Sequence, residues 1–181
     1  MEYDSIILKE FEKKNEYYEK LYEWSGYKKM ELIYRATRDG MTSKCFHDKC
    51  DNKGPTITLF KTDKNVFGGF SSISWSIDGN YHSSPDCFIF TLINEKKQEP
   101  TKFPWKENNE YAVYHNANYG PTFGEGHDIG VDKFEFLNNN SFSNFPSSYK
   151  DTIGKKKSIF TGNNEKKNFK LREIEVFQLY K

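Results

Sequence analysis

The chain has 181 residues, with 27 Lys and Arg against 26 Asp and Glu, and a formal net charge of +1 at pH 7. This length favours a single domain, and the near-neutral charge removes the electrostatic basis for nonspecific nucleic-acid binding. Hydrophobic residues make up only 35% of the chain, but 16 Phe, 12 Tyr and 3 Trp supply large rings that bury roughly 150–250 Å² each. The composition therefore predicts a folded domain and excludes global disorder.

Location follows from segments that the sequence lacks. No apolar run approaches the roughly 20 residues needed to cross a bilayer. The acidic start, Met1-Glu2-Tyr3-Asp4, has no apolar region of the kind found in a signal peptide. Three cysteines cannot all pair with one another and are few for a disulfide-based fold. We therefore expect a cytoplasmic protein with reduced thiols and no membrane insertion.

The N-terminal part predicts a helix over residues 5–24. Asp4 or Ser5 can cap its start, and Gly26 is a plausible stop. A helix of this length is marginal by itself in water, so its apolar stripe is expected to pack on the rest of the domain. A partner-binding or coiled-coil helix is the alternative. The stripe consists of Ile7, Phe11, Tyr18 and Leu21.

After Gly26 the apolar residues recur at shorter intervals than in a helix. Residues 32–34 begin a strand that ends near the turn Arg38-Asp39-Gly40. Residues 42–50 predict a short helix, capped by Thr42 or Ser43, with Phe46 and Cys50 on one face.

The middle of the chain predicts a β-hairpin. Strands at 56–61 and 66–76 flank the polar loop Thr62-Asp63-Lys64-Asn65. Gly68-Gly69, inside the second strand, indicates a bulge or a close backbone approach.

Two later segments are apolar on both faces, which is typical of strands that are covered on both sides. They are residues 87–93 and residues 169–180, and the second is expected to be a central strand. We expect shorter strands at 111–115 and 127–131, and surface loops at 137–148 and 154–168.

Together the elements predict a mainly β (α+β) fold: a two-sheet antiparallel β-sandwich with an N-terminal helix and short flanking helices. Residues 1–26 are expected to form a helical lead-in, and residues 27–181 the β-sandwich domain.

Cysteine and histidine residues supply one candidate metal site. Soft ligands could come from Cys45, His47, Cys50, His82 and Cys87. Cys45 and His47 are two residues apart and would point to different sides of a helix, and paired C-x-x-C clusters are absent from the sequence. A small buried cysteine is the commoner explanation. Redox sensing by Cys45 or Cys50 is a similarly weak alternative.

A second polar cluster occurs at Gly124-Glu125-Gly126-His127-Asp128. It lacks the third glycine of a dinucleotide-binding loop, and its glycines are expected to serve backbone geometry instead. His127 and Asp128 would face opposite sides of a strand, so an acid–base dyad is disfavoured. Hydrogen bonds that close a loop over the sandwich are the simpler interpretation. No G-x-S-x-G nucleophile elbow is present.

Several motifs in order give the chain a family resemblance over residue 30 to the C-terminus. The chain resembles the TLDc domain family, particularly its protist members. Met41 stands where this family usually has a large aromatic residue, and Glu125 interrupts what is often a glycine run. The motifs are LIYRATRDG at 32–40, FH at 46–47, CDNKGPTITL at 50–59, FGGF at 67–70, SW at 74–75, FIFTL at 88–92, YGPTFG at 119–124, GHDI at 126–129 and EIEVF at 173–177.

The resemblance implies a two-sheet β-sandwich without established enzymatic activity. It also implies a role in resistance to oxidative stress, and a protein partner such as subunits of the vacuolar proton-pumping ATPase. We therefore expect no catalytic residues, metal ligands or cofactor. The candidate contact loops are Arg38, Asp39 and Gly40, together with Gly124, Glu125, Gly126, His127 and Asp128.

The residues leave two alternative functions open. One is a redox or hydrolytic enzyme that uses a thiol or a histidine, with Cys45, Cys50 or His127 as the reactive group. The other is a sandwich that binds a small ligand or a glycan through Trp105 and Tyr119, since aromatic rings stack on sugar faces.

Overall fold

A computed structural model describes residues 4–131 and 133–181. Within these residues the largest element is a six-stranded antiparallel sheet in the order β1-β10-β2-β3-β5-β6. Two two-stranded ladders, β4–β7 and β8–β9, lie outside it. The strands are β1 Lys29–Arg35, β2 Thr56–Lys61, β3 Val66–Ser71, β4 Tyr81–His82, β5 Phe88–Ile93, β6 Thr101–Pro104, β7 Val113–Tyr114, β8 Ser141–Phe142, β9 Asn168–Phe169 and β10 Glu173–Tyr180.

The helices are short and lie between or beside these strands. They are a 3₁₀ turn at Leu8–Glu10, α1 Lys14–Ser25, α2 Ala36–Asp39, α3 Ser43–Cys50 and α4 Ser158–Thr161. No helix within the two described ranges is both long and apolar enough to span a bilayer.

Apolar residues cover the large sheet on both faces. On one face α1 and the segment before it pack through Tyr18 and Leu21 against sheet residues that include Ile57 and Phe177. On the other face the short ladders, α3, α4 and long loops contribute rings such as Phe123 and Phe160. The mainly β prediction is confirmed, and the layer opposite α1 is made of short ladders and isolated bridges.

The N-terminal helix prediction is only partly correct. Its end at Gly26 is confirmed, because Gly26 adopts the left-handed conformation and its N–H donates to Tyr22 O at 2.9 Å. Its start is wrong, since α1 begins at Lys14 and Phe11 is extended, with φ −110° and ψ 137°. The physical reason is that Glu175 of β10 accepts hydrogen bonds from the Ser5 hydroxyl and the Ile6 N–H, which hold this segment on the sheet and outside the helix. The stripe does pack on the sheet, as expected.

The predicted hairpin is present as β2 and β3, joined by residues 62–65. The second strand ends at Ser71, earlier than expected. A Cβ atom at Gly68 would lie 2.0 Å from Thr58 O, and one at Gly69 would lie 2.4 Å from the Phe123 ring. The predicted close backbone approach is therefore confirmed at Gly68, whereas the close neighbour of Gly69 is a side chain.

The two doubly covered strands are also confirmed, although the second begins at Glu173 and Phe169 belongs to β9. In β5, Ile89 belongs to one apolar cluster, whereas Phe90 belongs to the other. β10 lies between β1 and β2, with Val176 and Phe177 on opposite faces.

The expectation of surface loops at 137–148 and 154–168 needs correction. Phe145, Ile159 and Phe160 are buried, because this side of the sheet has few regular elements and the loops supply its apolar cover. The short strands expected near 111–115 and 127–131 reduce to β7 and to single bridges of Ile129 with Phe123 and of Gly130 with Phe142.

Candidate interaction surface

The first predicted contact loop is the single helical turn α2, which follows directly on β1. Gly40 ends the turn, and Tyr34 donates its hydroxyl to Gly40 O at 2.7 Å. Asp39 accepts from the backbone N–H of Arg35 at 2.9 Å and pairs with Arg38 at 2.7 Å. The hydrogen bond from Arg38 holds the pKa of Asp39 below its ordinary value. Arg38 is exposed, so a rigid turn presents one guanidinium to solvent.

Two buried glutamates of β10 anchor the chain beside α2. Glu173 accepts from the backbone N–H of Thr37 at 3.1 Å and from its hydroxyl. Glu175 is fully buried and accepts from Arg35 Nε at 2.9 Å, from Ile6 N–H at 2.9 Å and from the Ser5 hydroxyl. This central strand therefore holds both the α2 turn and the N-terminal segment. The sequence analysis did not identify either glutamate as important.

The second predicted contact loop, residues 124–128, is the tip of a tight turn. Phe123 and Ile129 exchange two backbone hydrogen bonds, of 3.0 and 3.2 Å, at its base. Gly124 has φ +82°, and a Cβ atom there would lie 1.9 Å from an Asp128 carboxylate oxygen. The conformational role expected for this glycine is thus explained. Glu125 and Gly126 are exposed at the tip, whereas Gly124 and Asp128 are buried below it.

Asp128 holds a neighbouring loop from inside the domain. Its carboxylate accepts backbone hydrogen bonds from Ser147 at 2.6 Å, from Ser148 at 2.8 Å and from Tyr149 at 3.4 Å. Burial raises its pKa from 3.8 to about 6, although the hydrogen bonds act in the opposite direction. The carboxylate serves the loop-closing role that the sequence analysis favoured, and it does not face His127.

This carboxylate predicts a dependence of stability on pH. The raised pKa in the folded state means that protonation of Asp128 stabilises the fold, and this stabilisation is lost as pH rises through about 6. We expect the group to lower the free energy of unfolding by roughly 3 kcal/mol between pH 4 and pH 7. Urea unfolding of the wild-type chain and of D128N across this range measures the difference in slope.

Asp151 offers a matched control for this measurement. It also accepts three backbone hydrogen bonds, from Ile153, Gly154 and Lys156, but it is only partly buried. D128N should flatten the wild-type slope, and D151N tests whether the loss of three backbone hydrogen bonds alone has the same effect. Equal slopes in all three chains would contradict the role given to Asp128.

The His127 ring lies among aromatic side chains. The residue has φ +65°, and its ring contacts Tyr114, Tyr119 and Phe142 at centroid distances of 5.7, 5.4 and 5.5 Å. Burial lowers the pKa of its imidazole from the ordinary value.

The segment 133–142 connects the two predicted contact loops. The Phe136 N–H donates to Met41 O at 2.8 Å, directly after α2, and the Phe142 ring stacks on His127. The two loops are therefore parts of one continuous piece of structure.

His47 is fully engaged in holding a loop. Its Nδ1 lies 2.7 Å from Asp51 Oδ1, and its Nε2 lies 3.0 Å from both Asn116 O and Tyr119 O. This arrangement speaks against His47 as a ligand in the cysteine-based metal site considered above.

The cysteines are free thiols in unequal surroundings. Cys50 and Cys87 are buried, and burial raises the pKa of both thiols, which keeps them protonated and unreactive at neutral pH. Cys45 is partly exposed and accepts a hydrogen bond from the Thr42 hydroxyl at 3.2 Å. Of the thiols proposed for redox chemistry, Cys45 alone is accessible.

A cluster that the sequence analysis missed combines Asp78, His82 and His115. One ligand atom from each lies within 4.8 Å of the others. His82 Nε2 is 2.8 Å from Asp78 Oδ2, and the rings of His82 and His115 are 4.3 Å apart. Burial lowers the pKa of His115 to about 4. The sequence analysis places His82 only with the cysteines, because residues that are distant in sequence show no metal-ligand spacing in a local motif.

The aromatic residues considered for glycan binding are both half-buried. Trp105 packs against the larger apolar cluster and forms a bridge with Tyr149. Tyr119 contacts Tyr114 and His127, so most of its ring serves internal packing. Neither ring is presented as a flat exposed platform.

Comparison of the sequence with known proteins assigns the chain to a family. The chain is 41% identical over 63 residues to MTOR-associated protein MEAK7 of Danio rerio. This alignment covers 34% of the chain and 14% of MEAK7. The chain is also 28% identical over 74 residues to Interferon-induced protein 44 of Homo sapiens. This second alignment covers 41% of the chain and 16% of that protein. The matches thus cover only about a sixth of the length of these relatives. The TLDc domain profile, in contrast, matches residues 2–180, so the chain belongs to the TLDc domain family.

Proposed function

We propose that this chain is a non-catalytic protein-interaction module. Its contact surface is formed by the exposed residues of the two rigid loops, which are Arg38 on α2 and Glu125 and Gly126 on the second turn. The supporting observation is that buried groups fix both loops: Glu173 holds α2, and Asp128 lies beneath the other turn. Rigid loops lose little conformational entropy on binding, which favours recognition of a partner.

The relatives support an interaction role in general terms, since MEAK7 carries the description "MTOR-associated". For this chain we propose subunits of the vacuolar proton-pumping ATPase as the partner and the cytoplasm as the location, on the basis of the family resemblance. We propose that resistance to oxidative stress arises through such a partner, because Cys50 and Cys87 are buried with raised pKa values and Cys45 is the one partly exposed thiol of the three.

The test is a binding measurement with purified vacuolar ATPase subunits and the purified chain. R38A and E125K should each weaken binding at least about tenfold if these residues are central to the contact. The matched controls are K20A and E23K, which change exposed charges on α1, on the opposite side of the large sheet. They should leave the dissociation constant within about twofold of the wild-type value.

Two results would count against the proposal, each in its own way. If no subunit binds the wild-type chain, the vacuolar ATPase is not the partner. If a subunit binds and R38A and E125K behave like the controls, the partner is retained and the contact surface lies elsewhere.

A further inference from the structure

We propose that Asp78, His82 and His115 form a binding site for a divalent transition metal ion, with Zn²⁺ as the preferred ion. Two imidazoles and one carboxylate are a donor set that zinc accepts, and a water molecule would complete the tetrahedron. The site extends beyond the proposed protein-interaction role, and neither depends on the other.

The backbone brings these residues together. β4 and β7 form a ladder in which His82 pairs with Val113. The Gly79 N–H donates to His115 O at 2.7 Å, and the His115 N–H donates to Asn80 O at 2.9 Å. These hydrogen bonds fix the segment that carries Asp78 and His82 against His115.

His115 carries the strongest indication of a ligand. The residue is 1% exposed, and its Nε2 has no hydrogen-bond partner among the described residues. Its Nδ1 lies 3.0 Å from Ser76 Oγ. When Nδ1 holds the proton and donates it to Ser76, Nε2 keeps its lone pair for a metal ion, and metal-binding histidines are commonly oriented by such a partner.

Asp78 and His82 are oriented but remain accessible. The Asn80 N–H donates to Asp78 Oδ1 at 2.9 Å, which directs Oδ2 towards His82. The side chains of His82 and Asp78 are 33% and 41% exposed, so an ion and its water can enter from solvent.

The distances allow metal binding after a small adjustment. A tetrahedral zinc ion with bonds of about 2.0–2.1 Å separates its ligand atoms by about 3.4 Å. The three ligand atoms lie within 4.8 Å of one another, so the widest separation must close by at most about 1.4 Å. Rotation of the partly exposed Asp78 and His82 side chains can provide this change.

The test uses the full chain, treated with a chelator and then titrated with ZnCl₂ in a calorimeter. We expect one ion per chain, and a dissociation constant at least about tenfold weaker in H82Q and in D78N. S76A should also weaken binding, by about tenfold, because Ser76 acts as a positioning residue for His115. At a free zinc concentration 100-fold above the dissociation constant, the melting temperature should rise by about 5–10 °C in the wild-type chain.

Asp51 supplies the matched control. Asp51 and His47 form a pair with the same sequence spacing of four residues and a distance of 2.7 Å, against 2.8 Å for Asp78 and His82. D51N should keep the wild-type zinc affinity. H115Q changes a buried residue, so the exposed variants H82Q and D78N keep the test decisive if H115Q does not fold.

Cobalt substitution separates this site from a cysteine site. Bound Co²⁺ should give the visible bands of a tetrahedral ion without a thiolate charge-transfer band, and C45S should not change binding. The proposal is overturned if zinc binds equally well to H82Q and D78N, if a thiolate band is present, or if no one-to-one binding occurs.

Discussion

A chain that lacks residues 170–181 is expected not to fold. The deletion removes β10, which is paired with β1 on one side and with β2 on the other, so the sheet loses its connection between the two. It also removes apolar side chains from both clusters. Far-ultraviolet circular dichroism and thermal melting should show neither the β signal nor a cooperative transition, whereas deletion of the exposed Lys181 alone should preserve both.

Two point variants test the same strand without deleting it. Ile174 and Leu179 lie on opposite faces of β10 and are 0% and 3% exposed. I174A and L179A should therefore each lower the free energy of unfolding by about 2–5 kcal/mol. A loss confined to one variant would mean that only one face of β10 is packed, and a cooperative melt of the truncated chain would contradict the central role of the strand.

Replacement of Glu175 by alanine is expected to lower the free energy of unfolding by about 3–5 kcal/mol. The change leaves Arg35, whose side chain is only 15% exposed, without its buried carboxylate partner. It also removes the acceptor for Ser5 and Ile6. Urea unfolding gives the energy, and hydrogen exchange should show that the amides of residues 5–8 lose protection before the sheet does.

Two comparison variants make this result specific. E175Q keeps an acceptor oxygen for Arg35 and Ile6, so its loss should be smaller than that of E175A. Glu23 pairs with Lys20 at 2.8 Å but is 64% exposed, and E23A should change stability by less than about 0.5 kcal/mol. If E175A and E23A cost the same, Glu175 does not anchor the N-terminal segment.

Local patterns predicted much of the sheet. The strand segment at 56–61, the polar loop after it and the doubly apolar sequence of β10 are each contained in short windows, and the apolar residues of β10 are buried on both faces. The Thr42 cap of α3 is equally local, because its hydroxyl accepts from the Cys45 N–H three residues later. Elements were therefore predictable where their partners are close in sequence or where the element itself is apolar on both faces.

The errors arose where the partner is distant in sequence. Residues 5–13 have helical composition, but Ser5 and Glu175 are 170 positions apart, and their hydrogen bond helps to hold this segment outside the helix. His115 likewise joins Asp78 and His82 only because β7 pairs with β4. For the eight predicted contact residues, sequence reasoning placed the turns correctly. It could not distinguish exposed Arg38 from buried Asp128, because exposure depends on how Ser147 and its neighbours pack.

The position of β10 has a consequence for synthesis of the chain on the ribosome. The strands β2, β3, β5 and β6 are neighbours in the sheet and follow in the same order along the chain, with only the short β4 intervening, so they can pair while translation proceeds. β1 and the free side of β2 must wait for β10, which is synthesised after the other strands of this sheet. During that interval an unpaired strand edge and apolar surface are exposed to non-native contacts and to aggregation.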